Sequence, residues 1–156
     1  MNFKIIVLQR ILPHYRAGIF RKLCGRFPGM SVFYGQPYKN ESLKNADNLS
    51  DNFFIRCSNT YFDKNGKIFI SKIFSKIKEL RAEIIISVFN VGNLNIYILF
   101  LLRKFLKFKI ILWSFGYDPV RGFNPDKYFT DKIRLYLSQK ADAVIFYWEN
   151  GKEEVS

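Results

Sequence analysis

Short runs of consecutive apolar residues, each too brief for a helix, constrain this chain more than any other feature. Residues 3–9 (FKIIVLQ), 84–88 (IIISV) and 109–113 (KIILW) are the clearest, and 30–34 and 142–147 follow the same pattern. A strand that is apolar at successive positions is buried on both faces, which requires helices above and below a parallel sheet. The segments between the runs fit that role. Residues 14–27 place Tyr15, Ile19, Phe20 and Leu23 on one helical face, and 71–81 do the same with Ile73, Phe74, Ile77 and Leu80. Residues 94–108 follow, with a stripe of Ile98, Leu101, Leu102 and Phe105 that reads as core, and then 126–141 with Ile133, Leu135 and Leu137. Strand and helix alternate throughout. The expected fold is α/β: a Rossmann-like doubly wound sheet, mostly parallel, with helices on both faces and one domain over 1–156.

Local punctuation refines this order. Pro13 suits the first turn of a helix, and Pro28-Gly29 ends it. Residues 35–51 are polar and form the longest expected loop, the segment with most freedom to move. Residues 52–57 read as a further short strand. Asp63-Lys64-Asn65-Gly66 stands between two strand-like stretches, 60–62 and 67–70, and predicts a hairpin. Asn93 is placed to cap the helix that follows it. The last residues, 151–156, read as the first turn of one more helix with nothing after it to pack against.

Composition narrows the function classes. The chain has 156 residues and a formal charge of +12, so anionic partners are favoured: nucleic acid, anionic lipid or phosphorylated substrates. Nucleic acid is disfavoured, because the basic residues are scattered and no RNA- or DNA-binding motif is present. The two cysteines, Cys24 and Cys57, lack metal-ligand spacing, and no metal is expected. There is no GxGxxG after the first run, no P-loop, no HExxH and no GxSxG. The single histidine, His14, must serve any His-dependent chemistry. No secretory signal opens the chain, and the most lipid-like run, 94–102, is far short of a membrane span. A cytoplasmic protein is expected, with peripheral contact to the inner face of an anionic membrane through Arg103, Lys104 and Lys107 as one option beside an ordinary solvated helix face.

In an open α/β sheet, ligands bind beyond the carboxyl ends of the strands. The loops there carry Arg10, Pro13, His14, Tyr15 and Arg16, then Asn90 and Asn93, then Phe115, Gly116, Tyr117, Asp118 and Arg121, and finally Tyr147 and Glu149. Hydroxyl partners mixed with flat apolar rings suit a sugar, and arginine adds a grip on phosphate. Each residue also has a plainer reading. Tyr15 can be a packing residue, Arg16 can be solvated, and Asp118 before Pro119 can be a turn former. Gly116 serves backbone conformation under either reading.

Three stretches carry a family resemblance. QRILPHYRAGIFRKL (9–23) resembles the Q-R-x-x-P-x-Y-R-x-x-x-F-x-x-L opening of bacterial family 4 glycosyltransferases of the GT-B fold. ILWSFGYDP (111–119) is similar to their LW-G/S-H-G-Y-x-P segment, and KADAVIFYWENGKEEV (140–155) to their K-A-D-A-V-I-F-Y-T-x-x-G-x-E. The order and spacing match over nearly the whole chain.

The resemblance implies the amino-terminal, acceptor-binding half of a retaining glycosyltransferase. It uses a nucleotide-sugar as donor substrate, needs no cofactor or metal, and acts on a cell-envelope glycan or a lipid-linked acceptor. The donor is held by a carboxyl-terminal domain that this chain does not contain, so the chain alone is not expected to turn over. Carried over by position, Arg10, Pro13, His14, Tyr15, Arg16, Asn90 and Asn93 face the acceptor. Gly116, Tyr117, Asp118, Arg121, Tyr147 and Glu149 line the interdomain cleft. Phe115 stands where the family has a histidine, and a benzyl group cannot make an imidazole's hydrogen bonds. The alternative is therefore a catalytically inactive glycan-binding subunit, or a partner-dependent half of a split transferase. A basic domain for nucleic acid or anionic membrane is the third reading, separable from the others by a steep salt dependence of binding.

Overall fold

A computed structural model describes residues 3–114 and 122–147. The elements in chain order are β1 (Ile5–Gln9), α1 (His14–Arg26), β2 (Met30–Tyr34), β3 (Phe54–Arg56), β4 (Asn59–Tyr61), β5 (Phe69–Ser71), α2 (Phe74–Leu80), β6 (Ile84–Val88), α3 (Leu94–Leu106), β7 (Lys109–Ser114), α4 (Phe129–Lys140) and β8 (Ala143–Phe146). Six strands form one sheet in the order β3-β2-β1-β6-β7-β8, and every neighbouring pair in it is parallel. Renumbered along the main sheet alone, this is the 3-2-1-4-5-6 order of a Rossmann-like fold. The apolar runs therefore became what their composition requires. Val7, at the centre, faces Val32 on one side and Ile86 on the other.

Side-chain alternation divides the core in two. Ile6, Leu8, Phe33, Ile85, Ile110 and Leu112 face α2, α3 and α4. Val7, Val32, Tyr34 and Phe54 face α1. Phe20 of α1 is fully buried in that second layer, a burial that contributes about 1.5–3 kcal/mol.

Two helical faces differ from the expectation. In α1 the buried positions are Ala17, Phe20 and Cys24, whereas Tyr15 and Ile19 are 52% and 53% exposed. Small residues at 17 and 24 let the helix lie close to the strands, and the larger Tyr15 and Ile19 are turned outward. In α3 the core takes Ile96 and Leu99, not the stripe at 98, 101, 102 and 105. Leu101 is 70% and Phe105 81% exposed, and Ile98 and Leu102 are only half-buried. Leu101 and Phe105, with Tyr97, Phe100, Arg103, Lys104, Tyr136, Leu137 and Lys140, line an open groove of about 760 Å³ between α3 and α4. Among the described residues, no helix is long and apolar enough to cross a membrane.

The hairpin forms as its turn predicts, β4 and β5 pairing antiparallel as a separate two-stranded sheet. Asp63 supports the turn by accepting from the backbone N–H of Asn65 and Ile68. The hairpin is tied to the loop after β6, where the Phe69 N–H donates to the Gly92 carbonyl at 3.0 Å. A β-carbon at Gly92 would stand 2.1 Å from the Lys67 carbonyl oxygen, so this approach requires glycine. Asn93 caps α3 as expected, its Oδ1 accepting from the Asn95 N–H.

The long polar loop at 35–51 is anchored at several points. Ala46 N–H donates to the Leu12 carbonyl, the Leu12 N–H donates to Asn45 Oδ1, and Asn45 Nδ2 donates to the Gly35 carbonyl. Arg21 adds an ion pair with Asp51 at 2.8 Å.

Candidate functional site

The chain leaves β1 towards β2 and β3 on one side, then returns to β6 on the other. The crevice between β1 and β6 at their carboxyl ends is thus the topological switch point, where open α/β sheets bind ligands. A cavity of about 170 Å³ opens there, lined by Gln9, Arg10, Ile11, Pro13, Tyr15, Arg16, Leu43 and Val88.

Arg16 organises its α1 side. Nη1 donates to Gln9 Oε1 at 2.7 Å, and Nη2 donates to the Tyr147 hydroxyl at 2.9 Å. The guanidinium lies 5.4 Å from the Trp113 ring centre and 5.7 Å from that of Tyr15. Trp113 in turn stacks on Tyr147, with centroids 5.3 Å apart and planes at 21°. Residues from β1, α1, β7 and the end of β8 thereby meet in one cluster. Burial pushes the Tyr147 phenol above its ordinary value, partly offset by the neighbouring guanidinium, so it is protonated at neutral pH.

Gln9 is 4% exposed, and its Nε2 has no hydrogen-bond partner among the described residues. It shares a strand face with Val7, the α1 face, which is also where Arg16 reaches it. Buried amide donors are rarely left unpaired. Sequence reasoning missed this residue because it ends an apolar run and reads as the last position of a strand. The signal available was a polar side chain closing a strand that is buried on both faces.

Arg10 turns the other way. Its fork grips Glu41, with Nη1 donating to Oε2 at 2.6 Å and Nη2 to Oε1, and Nη1 also reaches the Tyr61 hydroxyl at 3.5 Å. The hydrogen bonds from Arg10 hold the Glu41 carboxyl below its usual range, against the opposing effect of burial. Beyond this pair lies a second, more open cavity of about 410 Å³, bounded by Tyr38, Lys39, Asn65, Lys67 and Asn90 among others.

Asn59 stands behind Arg10. Its Nδ2 donates to the Arg10 and Gln36 carbonyls at 2.8 and 2.9 Å, and its Oδ1 accepts from Ser71 Oγ at 2.6 Å. Neither Glu41 nor Asn59 was visible as a site residue, since each takes its meaning from a partner far away in sequence.

The expected acceptor-side residues thus divide. Pro13, Tyr15 and Arg16 meet at the 170 Å³ cavity, which Arg10 also borders, and Asn90 borders the larger one. His14 is exposed, its ring edge-on to Tyr15 at 5.9 Å, and lines neither cavity. Asn93 is buried and serves as the α3 cap. Of the cleft residues, Tyr147 joins the Arg16 cluster; Phe115, Gly116, Tyr117, Asp118, Arg121 and Glu149 lie outside the described residues.

Burial pushes both the Cys24 and Cys57 thiols up to about 11, so neither is a thiolate at neutral pH. Among the described residues, no three His, Cys, Asp or Glu side chains gather where a metal ion would bind. Comparison with family models, curated proteins and solved structures returns no match to this chain.

Proposed function

We propose that this chain is the acceptor-binding half of a retaining sugar transferase, working with a second α/β domain that holds a nucleotide-sugar. In the reaction, the bond between the sugar's anomeric carbon and the donor phosphate breaks as a bond to an acceptor hydroxyl forms. The hydroxyl proton leaves with the released nucleotide phosphate. The part assigned to this chain is to hold and orient the acceptor at the β1–β6 switch point.

The observation that carries the reading is the cavity beside Arg16. It combines an unpaired buried amide donor, a guanidinium and the exposed Tyr15 ring, the pairing of hydrogen-bond groups with a flat apolar surface that carbohydrate recognition uses. The order of the three sequence stretches supports it independently. Arg103, Lys104 and Lys140 beside Leu101 and Phe105 would suit an acceptor presented on an anionic membrane.

Saturation-transfer NMR of this chain with a panel of uncharged oligosaccharides tests the reading. At least one should bind, and Tyr15→Ala should weaken it five-fold or more. No contact with any glycan would overturn the acceptor assignment.

Phe115 favours a second reading, a glycan-binding subunit without catalysis. The two part in an assay of the whole gene product with nucleotide-sugars. Transfer supports the first, while glycan binding without transfer supports the second.

A further inference from the structure

The geometry points to a phosphate-binding subsite in the β1–β6 cavity, formed by Gln9 Nε2, the Arg16 guanidinium and the amino-terminal turn of α1. The inference rests on the acceptor reading for its context, and it specifies the acceptor as a phosphorylated one.

Three features converge, all of them positive in potential. The first is the unpaired Nε2 of Gln9, a side chain 4% exposed. The second is Arg16. Among the described residues its guanidinium meets an amide, a phenol and two aromatic rings, but no carboxylate. A guanidinium held in place by neutral groups at the wall of a cavity keeps its charge for an anion that enters it. The third is α1 itself, thirteen residues long, with no side-chain cap and no acidic residue in its first turn. Its uncapped N–H groups and dipole favour an anion at that end.

A neutral hydroxyl would satisfy Gln9 and leave the Arg16 charge uncompensated. A phosphate satisfies both. Its tetrahedral oxygens can accept from a side-chain amide, a guanidinium edge and a backbone N–H arriving from different directions, whereas a carboxylate offers two oxygens in one plane. The cavity, about 170 Å³, has room for about five waters and so for a phosphate group, but not for a nucleotide.

Gln9→Glu separates binding from folding. The new carboxylate keeps the oxygen that anchors Arg16 and supplies its missing counter-charge, while removing the amide donor and repelling an anion. The experiment titrates inorganic phosphate, glucose 1-phosphate, dihexanoyl phosphatidate and glucuronate into the isotopically labelled chain at constant ionic strength. It follows the Gln9 side-chain amide and the Arg16 Nε–H by NMR.

Saturable shifts of both groups with the phosphates are expected, at least ten-fold tighter than with glucuronate. Gln9→Glu should lose at least ten-fold in phosphate affinity with an unchanged or higher Tm. A tighter phosphatidate identifies a lipid-linked source, and a tighter glucose 1-phosphate identifies a soluble one. Phosphate affinity within two-fold of wild type in Gln9→Glu overturns the subsite and leaves an adventitious ion only. Glucuronate binding as tightly as phosphate overturns the phosphate class. Uncharged glycans that bind while no phosphate does would sink this inference and leave the acceptor reading standing. Phosphate binding with no glycan binding would do the reverse.

Discussion

Arg10 and Arg16 sit six residues apart at the same sheet edge, yet they do opposite things. Arg10 is closed on itself by a carboxylate: Glu41 takes both prongs of its fork, and the Asn59 network holds its backbone from behind. Arg16 is also held by two hydrogen bonds, but among the described residues only by neutral groups. A cation fixed by neutral partners keeps its charge available, whereas one paired to glutamate has spent it on structure. Geometry alone would rank the two equally as ligand-binding residues. The identity of their partners separates them.

Substitutions can break or sharpen that contrast. The largest effect is expected on the Arg10 side at Gly35, where a β-carbon would stand 2.1 Å from Asn59 Oδ1. Asn59 is pinned by several hydrogen bonds and cannot withdraw, so Gly35→Ala should destabilise by about 3 kcal/mol in urea unfolding. A loss below about 1 kcal/mol would show that the network yields.

Next is Glu41→Gln, which leaves a largely covered guanidinium without its counter-charge and should cost about 2 kcal/mol. The pH dependence has a definite sign. The folded state holds Glu41 below its ordinary value, so its contribution is present above the unfolded pKa of about 4.3 and fades as pH falls through the folded one. The stability gap between wild type and Glu41→Gln should therefore be constant above about pH 5 and close below pH 4. A gap unchanged down to pH 3 would contradict the ion pair as its source.

Arg16→Leu should be milder, about 1 kcal/mol, because it removes one neutral hydrogen bond to Gln9 Oε1 and one to the Tyr147 hydroxyl. If it proved more damaging than Glu41→Gln, Arg16 would be a structural residue and the contrast would fail. Tyr147→Phe is the smallest, about 0.5 kcal/mol, since it removes one partner of Arg16 and keeps the stack on Trp113.

The sheet was legible because its strands are apolar at consecutive positions, and burial on both faces leaves few architectures. The helical faces were less so, for a physical reason. In α3, IYILFLL offers apolar residues around most of the circumference, so periodicity assigns no phase, and the sheet beneath decides that Ile96 and Leu99 go in while Leu101 and Phe105 go out. In α1, side-chain size misled: Ala17 and Cys24 pack because they are small, and Ile19 is outside despite being large. Of the site, Arg16 and Tyr147 were visible because fold class alone places their loops together. Glu41 and Asn59 were not, because a loop residue 31 positions from Arg10 carries no mark of the contact it will make. Gln9 was hidden by its own strand.

The hydrogen bond from Arg16 to Tyr147 spans 131 residues of sequence. It joins α1 to the end of β8, a half-exposed strand that among the described residues pairs only with β7. Edge strands open first, in local fluctuations far smaller than global unfolding. Opening of β8 and release of the guanidinium are thus one event, read on the timescale of amide hydrogen exchange. Whatever fills the Arg16 cavity should slow exchange at Val144 and Phe146, and Tyr147→Phe should quicken it, although neither amide borders the cavity.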